Sequence, residues 1–88
     1  MTWTIKIDSN VSKDIKKMDS QNRTRIVNFI NSELANLTNP RQIGKALTGR
    51  FKGMWRYRVG DYRIICQIID NELTIIAVEI GHRKEIYK

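Results

Sequence analysis

Two β-rich runs, Met54-Trp55-Arg56-Tyr57-Arg58-Val59 and Tyr62-Arg63-Ile64-Ile65-Cys66, are separated only by Gly60-Asp61. No other stretch restricts the folding of this chain as strongly. A two-residue link that begins with glycine favours a primed turn, because glycine tolerates positive φ and aspartate accepts the left-handed region better than most residues. The link predicts a register in which Val59 faces Tyr62, Arg58 faces Arg63, Tyr57 faces Ile64, Arg56 faces Ile65 and Trp55 faces Cys66. Alternation then puts Trp55, Tyr57, Val59, Tyr62, Ile64 and Cys66 on a core face, and Met54, Arg56, Arg58, Arg63, Ile65 and Gln67 on the other. On that second face two arginines oppose each other with a third close by, which destabilises a sheet unless an anion sits among them. Three guanidinium forks suit a phosphate. The hairpin alone leaves two readings open, a phosphate-binding face or a solvated face whose arginines splay apart.

Charge favours a polyanionic partner. Sixteen Lys and Arg against nine Asp and Glu give a formal charge of +7, which suits nucleic acid, an acidic protein or a membrane surface. The excess is concentrated: residues 41–63 hold Arg41, Lys45, Arg50, Lys52, Arg56, Arg58 and Arg63 against Asp61 alone. Lys45, Arg50 and Lys52, in a glycine-containing approach to the hairpin, are candidate nucleic-acid-binding residues; the alternative for each is a solvated connector. The single cysteine, Cys66, excludes an intramolecular disulfide and falls on the core face, where it reads as a small hydrophobe in a reducing cytoplasmic compartment. No apolar run reaches membrane-spanning length, and the N-terminus lacks the apolar segment of a signal peptide, so neither membrane insertion nor secretion is expected. One His and one Cys do not make a ligand set. Chemistry without metal or cofactor is the expectation.

At 88 residues the chain is read as one domain, 1–88, with a single modest core. Trp3, Ile5 and Ile7 alternate as a half-buried strand. Asp8-Ser9-Asn10 then offers capping chemistry for a helix with Val11, Ile15 and Met18 on one face. After Asp19-Ser20, the stripe Ile26, Phe29, Ile30, Leu34 and Leu37 predicts a longer helix from Gln21 to about Leu37, which Thr38-Asn39-Pro40 ends. Residues 41–53 read as a long loop. Beyond the hairpin, a second turn at Asp70-Asn71 pairs Ile68 with Leu73, putting Leu73, Ile75 and Ala77 on the core face and Thr74, Ile76, Val78 and Ile80 on the arginine side. The pattern β-α-α-β-β-β predicts an α+β fold, an antiparallel sheet with a two-helix hairpin packed on one face.

The run Gly81-His82-Arg83-Lys84-Glu85-Ile86-Tyr87 is the richest in proton-transfer groups. With Trp55-Arg56-Tyr57-Arg58-Val59-Gly60-Asp61-Tyr62-Arg63, and with Leu47-Thr48-Gly49 before it, this run resembles the RelE/ParE superfamily of bacterial toxins across essentially the whole chain, most of all its RelE branch. The resemblance implies a RelE-like microbial RNase fold and a ribosome-dependent mRNA interferase, held silent by a cognate antitoxin with a partly disordered segment, acidic or amphipathic to suit the basic surface. The implied reaction is attack of an mRNA 2′-hydroxyl on the adjacent phosphate in the ribosomal A site, giving a 2′,3′-cyclic phosphate and a 5′-hydroxyl. Carried over by position, Arg63 and Arg83 correspond to phosphate-binding arginines, Tyr87 to a C-terminal tyrosine, and Arg56 and Arg58 to two basic positions where RelE itself has lysines. Arginine, with a pKa above about 12, is a poor general base. His82 falls where some relatives use a catalytic histidine, and Glu85 is a possible base. The alternative from the same superfamily is a ParE-like gyrase inhibitor without nuclease activity; a degenerate member that only binds antitoxin or RNA is a third.

Overall fold

The computed structural model describes residues 2–82. Five strands form one sheet: β1 (Thr4–Ile7), β2 (Lys45–Ala46), β3 (Trp55–Val59), β4 (Tyr62–Ile69) and β5 (Thr74–His82), in the order β1-β5-β4-β3-β2. Helices α1 (Ser9–Lys17) and α2 (Ser20–Asn28) lie between β1 and β2 in the chain. Because β1 and β2 occupy opposite edges, the helical pair carries the chain across one face of the sheet. The fold is the expected α+β arrangement with one helix-covered face.

The core lies between these layers. Val11 and Ile15 from α1 and Ile26, Ile30 and Leu34 from the second helical segment meet Tyr57, Val59, Ile64, Cys66, Ile75, Ala77 and Ile80 from the sheet, with Trp3 closing one end. The helix after α2 continues as a π turn, Phe29–Glu33, and a 3₁₀ turn, Leu34–Asn36. In a regular α-helix, residues spaced by four drift around the axis. The wider turn offsets that drift and keeps Ile26, Ile30 and Leu34 aimed at the sheet. The Trp3 amide donates to the Ala35 carbonyl at 2.8 Å, tying β1 to the end of this segment.

The hairpin has the register its turn length dictates, from Val59 opposite Tyr62 to Trp55 opposite Cys66. Gly60 has φ of 60° while Asp61 has no positive φ, the pattern of a type II′ link. The Arg25 guanidinium lies 2.8 Å from where a Cβ on Gly60 would stand, so both conformation and space select glycine there.

Three sequence expectations change. The sheet is mixed rather than wholly antiparallel, because β1 adds in parallel to the outer edge of β5, Thr4 opposite Thr74 through Ile7 opposite Ala77. A strand's alternation encodes its faces and not its partner, and the helical crossover decided the partner. The 41–53 loop contains β2, which pairs with β3. The β4–β5 link is longer than two residues: a 3₁₀ turn, Asp70–Glu72, is followed by Leu73 with φ of 48°, and Ile69 faces Thr74. Leu73 is therefore exposed in the turn instead of buried opposite Ile68.

A further shift within β4–β5 decides the side chains at the far end. Cys66 faces Ala77, but Ile65 faces Glu79, so Val78 is an inserted residue, a β-bulge. Asn10, in the first turn of α1, donates its side-chain amide to the Val78 carbonyl at 3.1 Å. Beyond the bulge the alternation of β5 is inverted. Ile80 faces Ile64 and is buried in the core, not on the arginine side where uninterrupted alternation would put it.

Candidate nucleic-acid interface on the arginine face

On the face of the sheet away from the helices, the pairings set out two rows. One is Lys45, Arg56, Ile65 and Glu79, across β2, β3, β4 and β5. The next is Arg58, Arg63 and Gly81, across β3, β4 and β5. Ile65 is fully buried although it stands outside the main core cluster, and it forms an apolar floor between Arg56 and Glu79. Arg63, on a central strand, is 8% exposed, and its Nη1 lies 3.5 Å from the Tyr62 carbonyl oxygen. Arg58, beyond the end of β2, is exposed. A buried guanidinium beside an exposed one gives the second row one fixed and one adaptable cation.

The approach loop is fastened so that Lys45 joins the first row. The buried Tyr57 hydroxyl donates to the Pro40 carbonyl at 2.6 Å, and a Cβ on Gly44 would come within 3.0 Å of the Tyr57 ring. Burial pushes the Tyr57 phenol well above its ordinary pKa, so it stays a neutral donor. Arg41 forks onto Asp70 at 2.9 and 2.7 Å and lies 5.7 Å from the centre of the Trp55 ring. This hydrogen-bonded pairing lowers the Asp70 carboxyl below its usual range. Arg41, counted by sequence in the positive excess of residues 41–63, thus serves the scaffold.

The other sequence candidates are distributed unevenly. Arg50 turns its guanidinium over the Phe51 ring at 4.6 Å, and Lys52 is exposed at the end of the same 3₁₀ turn, Gly49–Phe51. Arg83, Glu85 and Tyr87 lie outside the described residues. His82 is not brought to the arginine face. The bulge turns it to the helix side, where it faces Tyr62 edge-on with ring centres 5.8 Å apart. There it lines a cleft of about 250 Å³ with Asp14, Lys17, Met18 and Ile80.

Two residues missed in the sequence belong to this region. Arg25 reaches the hairpin tip and, with Phe29, Glu33 and Arg58, lines a groove of about 710 Å³ between the second helix and β3. An exposed helical position carries no signal for such a contact. Glu79 did carry one: it is the single charge in the apolar run Ile75-Ile76-Ala77-Val78-Glu79-Ile80, a break in strand alternation that a bulge accommodates. Cys66 is buried with its thiol pushed up to about 12, consistent with a packing role.

The fold is shared with RelE toxins. The structure aligns with one in the toxin-antitoxin complex RelBE2 from Mycobacterium tuberculosis with a TM-score of 0.85, at 24% identity, covering 94% of this chain and 93% of that one. The RelB-RelE antitoxin-toxin complex from Methanococcus jannaschii gives 0.69 at 30% identity, over 93% and 94%. A family model described as the ParE toxin of type II toxin-antitoxin systems, parDE, matches residues 5–87, and the chain belongs to this RelE/ParE toxin superfamily. Toxin RelG of Mycobacterium tuberculosis is 26% identical over 88 residues, spanning 100% of this chain and 99% of that toxin.

Proposed function

We propose that this chain is a ribosome-dependent mRNA endoribonuclease, the toxin of a type II pair, acting in the cytoplasm and silenced by a cognate antitoxin that covers the basic surface with an acidic or amphipathic, partly disordered segment. The observation that carries the reading is the opposition of Arg58 and Arg63, with Arg56 one row away, on a rigid sheet. Like charges held this close are suited to a ligand with more than one negative charge. The pentacoordinate state formed when a 2′-oxygen attacks phosphorus is such a ligand, and fixed guanidinium groups stabilise it without reorganising. The ribosome supplies the attack geometry that free RNA rarely samples. Lys45, paired with Arg56, extends the basic surface in the neighbouring row, and Arg50 and Lys52 add longer-range attraction for the message. Arg83 and Tyr87 are carried over from the family as further groups around the phosphate. The Tyr62-facing position of His82 argues against its use as the acid.

A second reading, inhibition of gyrase without RNA cleavage, is favoured by the description of the matched family model as ParE. Induction in cells followed by mapping of mRNA 5′ ends separates the two. Cleavage within codons that disappears in Arg63→Ala supports the nuclease, whereas a DNA-damage response with intact messages supports the second reading.

A further inference from the structure

We infer that Glu79 is the general base of the arginine face, accepting the 2′-hydroxyl proton of the RNA. This rests on the nuclease reading and names a base for it within the described residues, because arginines cannot take the proton at neutral pH and Glu85, the base considered from the sequence, lies outside them. The bulge at Val78 carries the inference. It turns Glu79, and not Ile80, outward into the row of Arg56 and Ile65. Glu79 is also the diagonal neighbour of Arg63, whose direct partner is Gly81. Diagonal residues stand roughly 7–8 Å apart, a spacing that leaves room for a phosphate oxygen on the guanidinium and the neighbouring ribose hydroxyl on the carboxylate. Glu79 is half-buried, and its side chain makes no hydrogen bond or ion pair among the described residues. Ile65, fully buried and directly opposite it on β4, gives the carboxylate an apolar neighbour.

The step balances without a co-reactant beyond water. The Glu79 carboxylate takes the proton as the 2′-oxygen bonds to phosphorus. The P–O5′ bond breaks with its electron pair on the 5′-oxygen, which takes a proton from water, and the carboxylic acid returns its proton to the hydroxide left behind. Asn10, through the Val78 carbonyl, is a positioning residue for the carboxylate.

Single-turnover cleavage of a message on programmed ribosomes tests this with wild type, Glu79→Gln, Glu79→Asp and Arg63→Ala. Glu79→Gln should lower the rate about 10²–10⁴-fold, the range for loss of a general base, and abolish the limb of the pH–rate profile on which activity rises with deprotonation. Binding to the ribosome and the melting temperature should be unchanged. Glu79→Asp should keep that limb at a reduced rate, so a folding defect in the Gln variant leaves the question decidable. Cleavage by Glu79→Gln at nearly the wild-type rate with the same pH profile, or loss of the limb in Glu79→Asp alone, would overturn the inference while leaving the nuclease reading in place. If wild type does not cleave but Arg63→Ala and wild type both bind ribosomes, the nuclease reading fails and this inference falls with it.

Discussion

The two hairpins of the sheet present opposite lessons. Between β3 and β4 a two-residue link with one obligatory glycine sets a register that runs unbroken for five pairs. Between β4 and β5 a 3₁₀ turn ends in a left-handed Leu73, and Val78 interrupts the ladder further along. The first hairpin is local chemistry and presents the arginines. The second answers to its neighbours: Asn10 of α1 caps the bulge carbonyl, Arg41 grips the turn through Asp70, and Ile80 is drawn into the core. It is the less regular of the two that selects which carboxylate stands beside Arg63.

Ile80→Ala should break the contrast most severely. Ile80 is buried in the core opposite Ile64 only because of the inserted residue, and its truncation should cost about 2–5 kcal/mol, read as a lowered melting temperature. On the hairpin side, Arg63→Ala should lower cleavage on ribosomes by about 10²–10³-fold, as for other fixed charge-stabilising donors. Arg58→Ala should cost less, since its guanidinium is exposed and adaptable while that of Arg63 is 8% exposed. Equal losses would show that the central strand confers no advantage.

Smaller effects sharpen the comparison. Gly60→Ala should destabilise by about 1–2 kcal/mol in thermal or urea melting, because alanine at φ of 60° is strained and its Cβ would press on Arg25. Asn10→Ala should cost about 0.5–1.5 kcal/mol by removing one hydrogen bond from the bulge, with a larger effect on cleavage than on stability if it positions Glu79. The smallest effect concerns Asp70. Its carboxyl is held below the ordinary range by Arg41, so the pairing contributes fully at neutral pH and is lost as pH falls through the lowered folded-state value. Melting temperatures of wild type and Asp70→Asn should therefore converge on acidification, from a modest difference at neutral pH because Asp70 is well exposed.

Much of the fold was legible for reasons that are local. Val11 and Ile15 lie on the buried face their spacing predicts, and the hairpin pairs as its link requires. The arginine face was legible for the same reason, down to the opposition of Arg58 and Arg63. The rest was not, because it depends on competition between distant groups. Nothing in Lys45-Ala46 announces a strand until Tyr57 fixes Pro40 and brings the segment beside β3. Nothing in the composition of the C-terminal run separates His82 from the arginines until an inserted residue inverts the strand.

By itself the sequence determined that this protein carries an arginine-bearing hairpin over a helix-packed sheet, since turn length and alternation act between residues close in the chain. The tertiary structure decided that β1 joins β5 in parallel, that Arg41 belongs to the scaffold, and that Glu79 rather than His82 shares the arginine face. Those outcomes depend on how the core closes around Ile80 and on what α1 offers the Val78 carbonyl, and such forces arise only when segments far apart in the chain are packed together.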